Sequence, residues 1–215
     1  MLAPDADAIH ERFQSGGTLP ARRIEHDDWA IELTAIPVSP EARGRSDHSL
    51  WGMGSTTVGD TNDRERLTNA LNRKRKKYGT PDRPLLIAAL SISPTFDGAI
   101  VDALFGTQEV PVLQSGEVRR LRRPDGFWIG PDGPRTTEAS GVLIGDGLGV
   151  SSIATMFPRL WHHPSADHPV RPDLLPFPSV HVADGRLDYR DGDVAPNELF
   201  GISSDWPGPG PPFTR

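Results

Sequence analysis

Apolar residues recur at three- and four-residue spacing between positions 63 and 78, and this spacing is typical of one helix face. Asp60 and Asp63 can cap the start of the helix, and Gly79 can end it in a left-handed conformation. The face itself consists of Leu67, Ala70, Leu71, Lys74 and Tyr78. The pattern therefore predicts a helix that buries one side and ends next to Gly79.

Lys74 interrupts this face, because it shares the stripe of Leu71 and Tyr78. A lysine at such a position extends its amine to water, pairs with an acid or serves a site. The first of these is the simplest interpretation. Lys74 is nevertheless kept as a candidate site residue.

A central strand is predicted at 85–92, where an unbroken apolar run from Leu85 to Leu90 is followed by Ser91 and Ile92. A short run that is apolar on both faces suits a strand covered on two sides. The next segment, 97–105, has helical spacing and stops at Gly106. We expect an α/β (or α+β) fold, in which flanking helices cover a small mixed sheet.

A second strand of the same sheet is predicted at 29–36, where Trp29, Ile31 and Leu33 alternate with Ala30, Glu32 and Thr34. Alternation of this kind indicates a half-buried strand. The preceding segment 22–25 is expected to pair with it across residues 26–28.

The second half of the chain is rich in loops, and its elements are predicted to be short. The expected elements are strands at 110–113, 118–121, 127–129 and 141–144, a helix at 150–160, and a hairpin at 180–189 turning at Asp184-Gly185. The proline-rich segment 164–178 cannot hold a regular helix. Residues 1–203 are read as a single domain and 204–215 as a disordered Pro/Gly tail.

Composition narrows the class of protein. The chain has 215 residues, no cysteine, and 22 each of glycine and proline, so we expect a modest core without disulfides or thiolate chemistry. Its N-terminus lacks the basic start and apolar centre of a signal peptide. No apolar run reaches the ~20 residues that a membrane span needs. The sequence therefore predicts a cytoplasmic protein with no membrane partner.

Basic residues are clustered although the formal net charge is -6. Cations in the last turn of a helix offset its dipole, which is the simpler interpretation of the first cluster. A phosphate-facing patch is the alternative. The candidate nucleic-acid-binding residues are Arg73, Lys74, Lys76, Lys77, Arg119, Arg120, Arg122 and Arg123.

Catalytic candidates are few. Glu32 lies in a strand, as do the metal-holding acids of PD-(D/E)XK nucleases, but the residue two positions later is Thr34 rather than lysine. Asp97 and Asp102 would suit a hydrolase only if they met Lys74 in a cleft. An ordinary edge-facing glutamate is the simpler interpretation of Glu32.

Two other motifs resemble ligand-binding sites only in part. The glycines at 145, 147 and 149 imitate a dinucleotide-binding loop, but the third comes one residue early, so a plain turn is predicted. The histidines at 162, 163 and 168 lack the usual spacings of zinc ligands. No metal site and no cofactor are predicted.

From about Asp5 to Ile202 the chain resembles the C-terminal half of a family of longer, uncharacterised bacterial proteins. The phrases that carry the resemblance are DDWAIELTAIPVSPEARG, ALNRKRKKYGTPDRPLLIAAL, DALFG, GFWIGPDGP and PRLWHHPSADHPV. The N-terminal region of those relatives resembles the PD-(D/E)XK nuclease fold and carries a Pro-Asp-Phe step. That step does not occur in this sequence. The resemblance implies a relative without the suspected metal site, and it assigns no role to Lys74, Tyr78 or Gly79.

Two functional hypotheses follow. In the first, the chain is the non-catalytic accessory half of a nuclease-like protein and contacts nucleic acid weakly through its basic segments. In the second, it is a structural or protein-interaction domain with no role in nucleic-acid binding. Its partner would be another protein or the N-terminal half of the longer relatives. Basic clusters on one face would favour the first hypothesis, and clusters on different faces would favour the second.

Overall fold

The computed structural model describes residues 23–25, 27–35, 63–75, 80–90, 97–111, 118, 120–147, 152 and 154–205. The side chains of residues 23–25, 32–35, 75 and 200 are not described. The predictions made for Lys76, Lys77, Tyr78, Gly79 and Arg119 lie outside these ranges. So do those for residues 91–92 and 206–215.

The described residues form three helices and eleven strands. In chain order these are β1 (Arg23–Glu25), β2 (Ala30–Ala35), α1 (Asp63–Arg75), β3 (Leu85–Leu90), α2 (Asp97–Phe105), β4 (Gln108–Glu109), β5 (Leu121–Arg122), β6 (Ile129–Gly130), β7 (Gly133–Pro134), β8 (Gly141–Gly145), β9 (Arg159–His162), β10 (Ser179–Ala183), β11 (Arg186–Arg190) and α3 (Pro196–Phe200).

Seven of the strands form one mixed sheet in the order β1-β2-β3-β8-β9-β10-β11. The inner strands β2, β3 and β8 run parallel to one another, and β9 is antiparallel to β8. The predicted α/β architecture is confirmed, and β1 pairs with β2 as expected. The apolar strand β3 lies inside the sheet, although the middle position belongs to β8.

Both helices α1 and α2 cover one face of the sheet. Leu67 and Leu71 of α1 and Leu104 of α2 are buried against Ile87 of β3 and Val142 of β8. Apolar positions at helical spacing on α1 meet the apolar face of a strand, as the sequence pattern predicts. This layer forms the larger part of the core.

The opposite face of the sheet is covered by the strap, which we define as residues 164–178. Val170 is buried in one cluster with Leu86, Leu143 and Leu160. Hydrogen bonds fix the start of the strap, where Asp167 N donates to Thr137 O over 2.8 Å. Because the five prolines of the strap exclude a regular helix, an irregular segment covers a face on which α/β sheets usually carry helices.

The end of α2 is joined tightly to a later segment of the chain. Gly106 follows the helix with φ +95, and a Cβ on Gly126 would lie 2.3 Å from Gly106 N, so the two backbones touch. Phe127 N and Trp128 N donate to Ala103 O and to Leu104 O. The last carbonyl groups of α2 are therefore satisfied by another segment.

Between these two glycines the chain makes an excursion that we call the arm, residues 107–123, described at 107–111, 118 and 120–123. β4 and β5 pair within it as an antiparallel ladder. Where the structure describes them, the strands predicted at 110–113 and 118–121 are displaced, because the ladder joins 108–109 to 121–122. Residues 112–113 lie outside the described ranges. Burial does not fix the register here, because Val110 and Leu121 are exposed.

The helix predicted at 150–160 is wrong where the structure describes it. Residues 154–155 form a turn, and Arg159–His162 is strand β9. Pro158 disfavours the helical conformation at Phe157, and the chain continues in an extended conformation. The strand predicted at 127–129 is also displaced, to Ile129–Gly130.

The predicted hairpin at the end of the sheet is confirmed. β10 and β11 pair in antiparallel register around Asp184 and Gly185. Both turn residues have positive φ, at 51 and 72. An Asp-Gly pair accommodates this turn because both residues tolerate the left-handed region.

Candidate functional site

The second basic cluster is engaged with carboxylates. Arg122 Nη1 donates to Asp102 Oδ1 over 3.0 Å and to Gly106 O over 2.7 Å. Arg123 forms an ion pair with Glu109 across the ladder of the arm. Each of these cations therefore has an acid beside it, so its charge is offset locally.

Arg122 and Arg123 also point in opposite directions. Consecutive strand residues face opposite sides, and Arg122 meets α2 whereas Arg123 meets Glu109. Arg120 is exposed, and Arg73 is exposed on α1. The cluster read from the sequence is thus divided between two faces.

The candidate carboxylates on α2 are likewise ion-paired. Asp97 accepts two hydrogen bonds of 3.1 Å from Arg159 Nη1, and Asp102 accepts from Arg122. Lys74 is half-buried on α1 and is itself engaged in an interaction. No group of three or more His, Asp or Glu side chains that could hold a metal ion occurs among the described residues.

Glu32 lies on β2, opposite Ile87 of β3 and Arg23 of β1. Its position is therefore inside the sheet, not at an edge. The interpretation of Glu32 as an edge-facing residue is wrong about its position, because β1 pairs with β2 on the outer side and is itself the edge strand.

Asp125 anchors the base of the arm. Its carboxylate accepts hydrogen bonds from Thr107 N and Thr107 Oγ1 and pairs with Arg64 at 2.9 Å. Burial opposes ionisation of this carboxyl, but the hydrogen bonds from Thr107 and the Arg64 charge prevail and lower its pKa. Asp125 thus links α1 to the base of the arm.

The histidines separate into two environments. His163 is buried, and its Nδ1 accepts a hydrogen bond of 2.9 Å from Ser165 N. Its Nε2 lies 2.9 Å from Arg135 O, so Nε2 carries the proton and donates. Burial lowers the pKa of His163. Both ring nitrogens are engaged, so His163 serves as a structural residue.

His162 and His181 form a stacked pair between neighbouring strands. β9 and β10 are parallel, with Trp161 opposite Val180, so His162 and His181 are adjacent. Their ring centroids are 3.8 Å apart and their planes are inclined by 19°. His181 Nε2 lies 3.1 Å from Ser179 Oγ. Within the described part of the chain, the buried His162 Nε2 has no hydrogen-bond partner.

The electrostatics of this pair favour the neutral form. Burial, the neighbouring His181 and the charge of Arg190 lower the pKa of His162 to about 4. Burial and Arg190 also lower the pKa of His181, while Asp188 opposes that effect. Both rings are therefore uncharged at neutral pH.

A groove of about 270 Å³ opens beside the pair. Its lining combines the two stacked histidines with Val170, Pro169 and Pro172 of the strap. The sequence drew attention to His162 and His163, but it gave no indication of His181, which is distant in the chain. The alternation of β10 together with parallel pairing to β9 brings His181 to His162, and only the sheet order reveals this.

Comparisons of this chain with protein-family models, with curated proteins and with solved structures found no match. Across the parts of the chain that are described, no helix has the length and hydropathy to cross a membrane.

Proposed function

We propose that this chain is a non-catalytic domain that acts by contacting another protein. The observation that carries the proposal is the ion pairing of Arg122 with Asp102 at 3.0 Å. A cation held by a carboxylate on its own chain is a poor ligand for a phosphate, because binding would have to break that pair. The pairing of Arg123 with Glu109 supports the proposal in the same way.

The placement of the acids supports the non-catalytic part of the proposal. Asp97 and Asp102 each face an arginine, whereas metal-assisted hydrolysis needs carboxylates converging on one cation. Their ion pairs link α2 to β9 and to the arm, which is a structural role.

A nuclease-like accessory role with weak nucleic-acid contact is the second candidate. It is favoured by the exposure of Arg73 and Arg120. Its affinity would fall steeply with salt, because each neutralised phosphate releases a counterion.

A titration with duplex and single-stranded DNA separates the two candidates. We expect no saturable binding at low salt, since the net charge is -6 and two of the arginines are ion-paired. Magnesium should add no cleavage. Fluorescence anisotropy at low and at moderate salt is the measurement.

Variants make the outcome unambiguous. Binding at low salt that is weakened by Arg73→Glu and Arg120→Glu, but not by the exposed Arg186→Glu on β11, would establish the second candidate. The weakening should then be the same for all DNA sequences, because backbone contacts do not read bases.

The arm carries exposed apolar side chains. Val110, Val118 and Leu121 are 49%, 58% and 52% exposed. Leu121 lies opposite Glu109 in the ladder, so Leu121 and Val110 face opposite sides of the arm. The proposed contact with a protein uses the surface of the arm around Leu121.

We expect this surface to bind a hydrophobic dye in the native protein and to promote concentration-dependent association. Sedimentation velocity at low and high protein concentration measures the association. The variant Leu121→Lys should reduce both signals. Val182→Lys, at a position 37% exposed on β10, is the matched control and should leave them unchanged. A monomer without dye binding would contradict the proposal.

A further inference from the structure

The strap is held to the sheet differently at its ends and at its middle. At its start Ser140 Oγ donates to His168 O, and Asp167 N donates to Thr137 O. At its end Leu160 N donates to Pro178 O over 2.8 Å. The middle, around Val170 and Leu174, contacts the sheet through apolar packing. Hydrogen bonds therefore hold the two ends of the strap. Its middle is held by apolar packing, which is stable only while water is excluded from the contact.

The stacked histidines lie next to this middle part. Strand alternation places His162 on the same face as Leu160, which packs against Val170. His162 and His181 share their groove with Val170 and Pro172. Protonation or hydration of the two rings therefore takes place at the edge of the apolar contact that holds the strap.

We propose that the stacked His162–His181 pair acts as an acid-sensitive latch, which keeps the middle of the strap closed while both rings are neutral and releases it when they are protonated. Two imidazolium rings cannot remain 3.8 Å apart, because like charges in a poorly hydrated site repel strongly. A charged His162 must also reach water, since its Nε2 is buried without a partner. Lifting the strap satisfies both requirements.

The groups that face the pair set the direction of the response. Arg190 on β11 disfavours protonation of both rings, and Asp188 favours protonation of His181. Ser179 contacts His181 from the same strand. His163 follows His162, but hydrogen bonds to Arg135 and Ser165 hold it. The less buried His181 takes up the first proton, and that charge opposes the second.

The latch is a linkage between proton binding and strap opening. A ring whose pKa is depressed only in the closed state binds protons better in the open state, so lowering the pH favours opening. The closed state is fully favoured above the ordinary histidine pKa of 6.5, and this preference is lost as the pH falls toward about 4. Opening would uncover the apolar face formed by Leu86, Leu143 and Leu160.

Amide hydrogen exchange tests the latch on the intact chain. Leu174 N is a hydrogen-bonded donor in the middle of the strap, Asp167 N is a donor at its fastened start, and Ile144 in β8 serves as a reference in the core. After correction for intrinsic rates, lowering the pH from 7 to 4.5 should speed exchange at Leu174 N at least about tenfold relative to Ile144, and it should not speed exchange at Asp167 N. The double variant His162→Phe and His181→Phe should abolish this acceleration.

His168→Gln is the matched control, because His168 lies in the strap but outside the stacked pair. It should leave the acceleration intact.

If the double variant does not fold, carbon-13 NMR of the histidine rings in the wild type replaces it. Ring protonation and strap exchange must then share one midpoint. Acceleration that persists without the two histidines, or ring protonation without strap exchange, would overturn the latch.

Discussion

Leu71→Ala is expected to lower the free energy of unfolding by about 2–5 kcal/mol. Leu71 is fully buried at 0% exposure, and it belongs to the cluster in which α1 packs on the sheet. Its removal loses the transfer free energy of the side chain and leaves a cavity. The neighbours cannot collapse into that space, because β3 is fixed by hydrogen bonds to β2 and β8.

Urea unfolding followed by circular dichroism measures this loss. Leu121→Ala is the control, since Leu121 is 52% exposed on the arm and its truncation should change stability by less than about 0.5 kcal/mol. Similar small effects for both variants would mean that α1 does not pack on β3.

Gly106→Ala is expected to destabilise the protein by about 3 kcal/mol or more. Gly106 has φ +95, and an added Cβ would lie 1.9 Å from Arg123 O. The strain of positive φ and the clash with backbone therefore add, and no side-chain rotation relieves either. The junction between α2 and the start of the arm would have to move.

Gly98→Ala on the same helix is the matched control. A Cβ at Gly98 meets nothing within 4 Å, so the change should be neutral or stabilising by up to about 1 kcal/mol. Thermal unfolding of the two variants and the wild type compares them directly. If the Gly106→Ala protein were as stable as the Gly98→Ala protein, the end of α2 would not be in contact with the backbone at Arg123 in solution.

The sequence predicted the elements whose burial follows a regular period. α2 matches its prediction, and β3 was predicted because six apolar residues in a row suit a strand that is covered on both faces. Arg159–His162 overlaps the helix predicted at 150–160 but forms β9, because this segment has no clear period and Pro158 disfavours a helical conformation at Phe157. The strands predicted within the arm were displaced because exposed residues leave the register of their pairing open.

The candidate site was harder to predict, since it depends on contacts between distant residues. The arginines at 122 and 123 look like one patch in the sequence, but strand geometry sends them to different partners. His181 meets His162 only through the parallel pairing of β9 with β10. The order of strands in a sheet leaves no local sequence pattern. Residue spacing therefore predicts neither the separate partners of the two arginines nor the contact between the two histidines.

The contact between Gly106 and Gly126 has a consequence for how this chain can vary. The arm leaves the core and returns to it at the same point, so residues can be inserted or deleted within it without changing the distance that its ends must span. The entropic cost of a longer loop grows only logarithmically, by about 0.6 kcal/mol for each doubling. Length variation between related sequences should therefore concentrate between β4 and β5. The same part of the chain is a suitable place for inserting a peptide or attaching a fluorescent label.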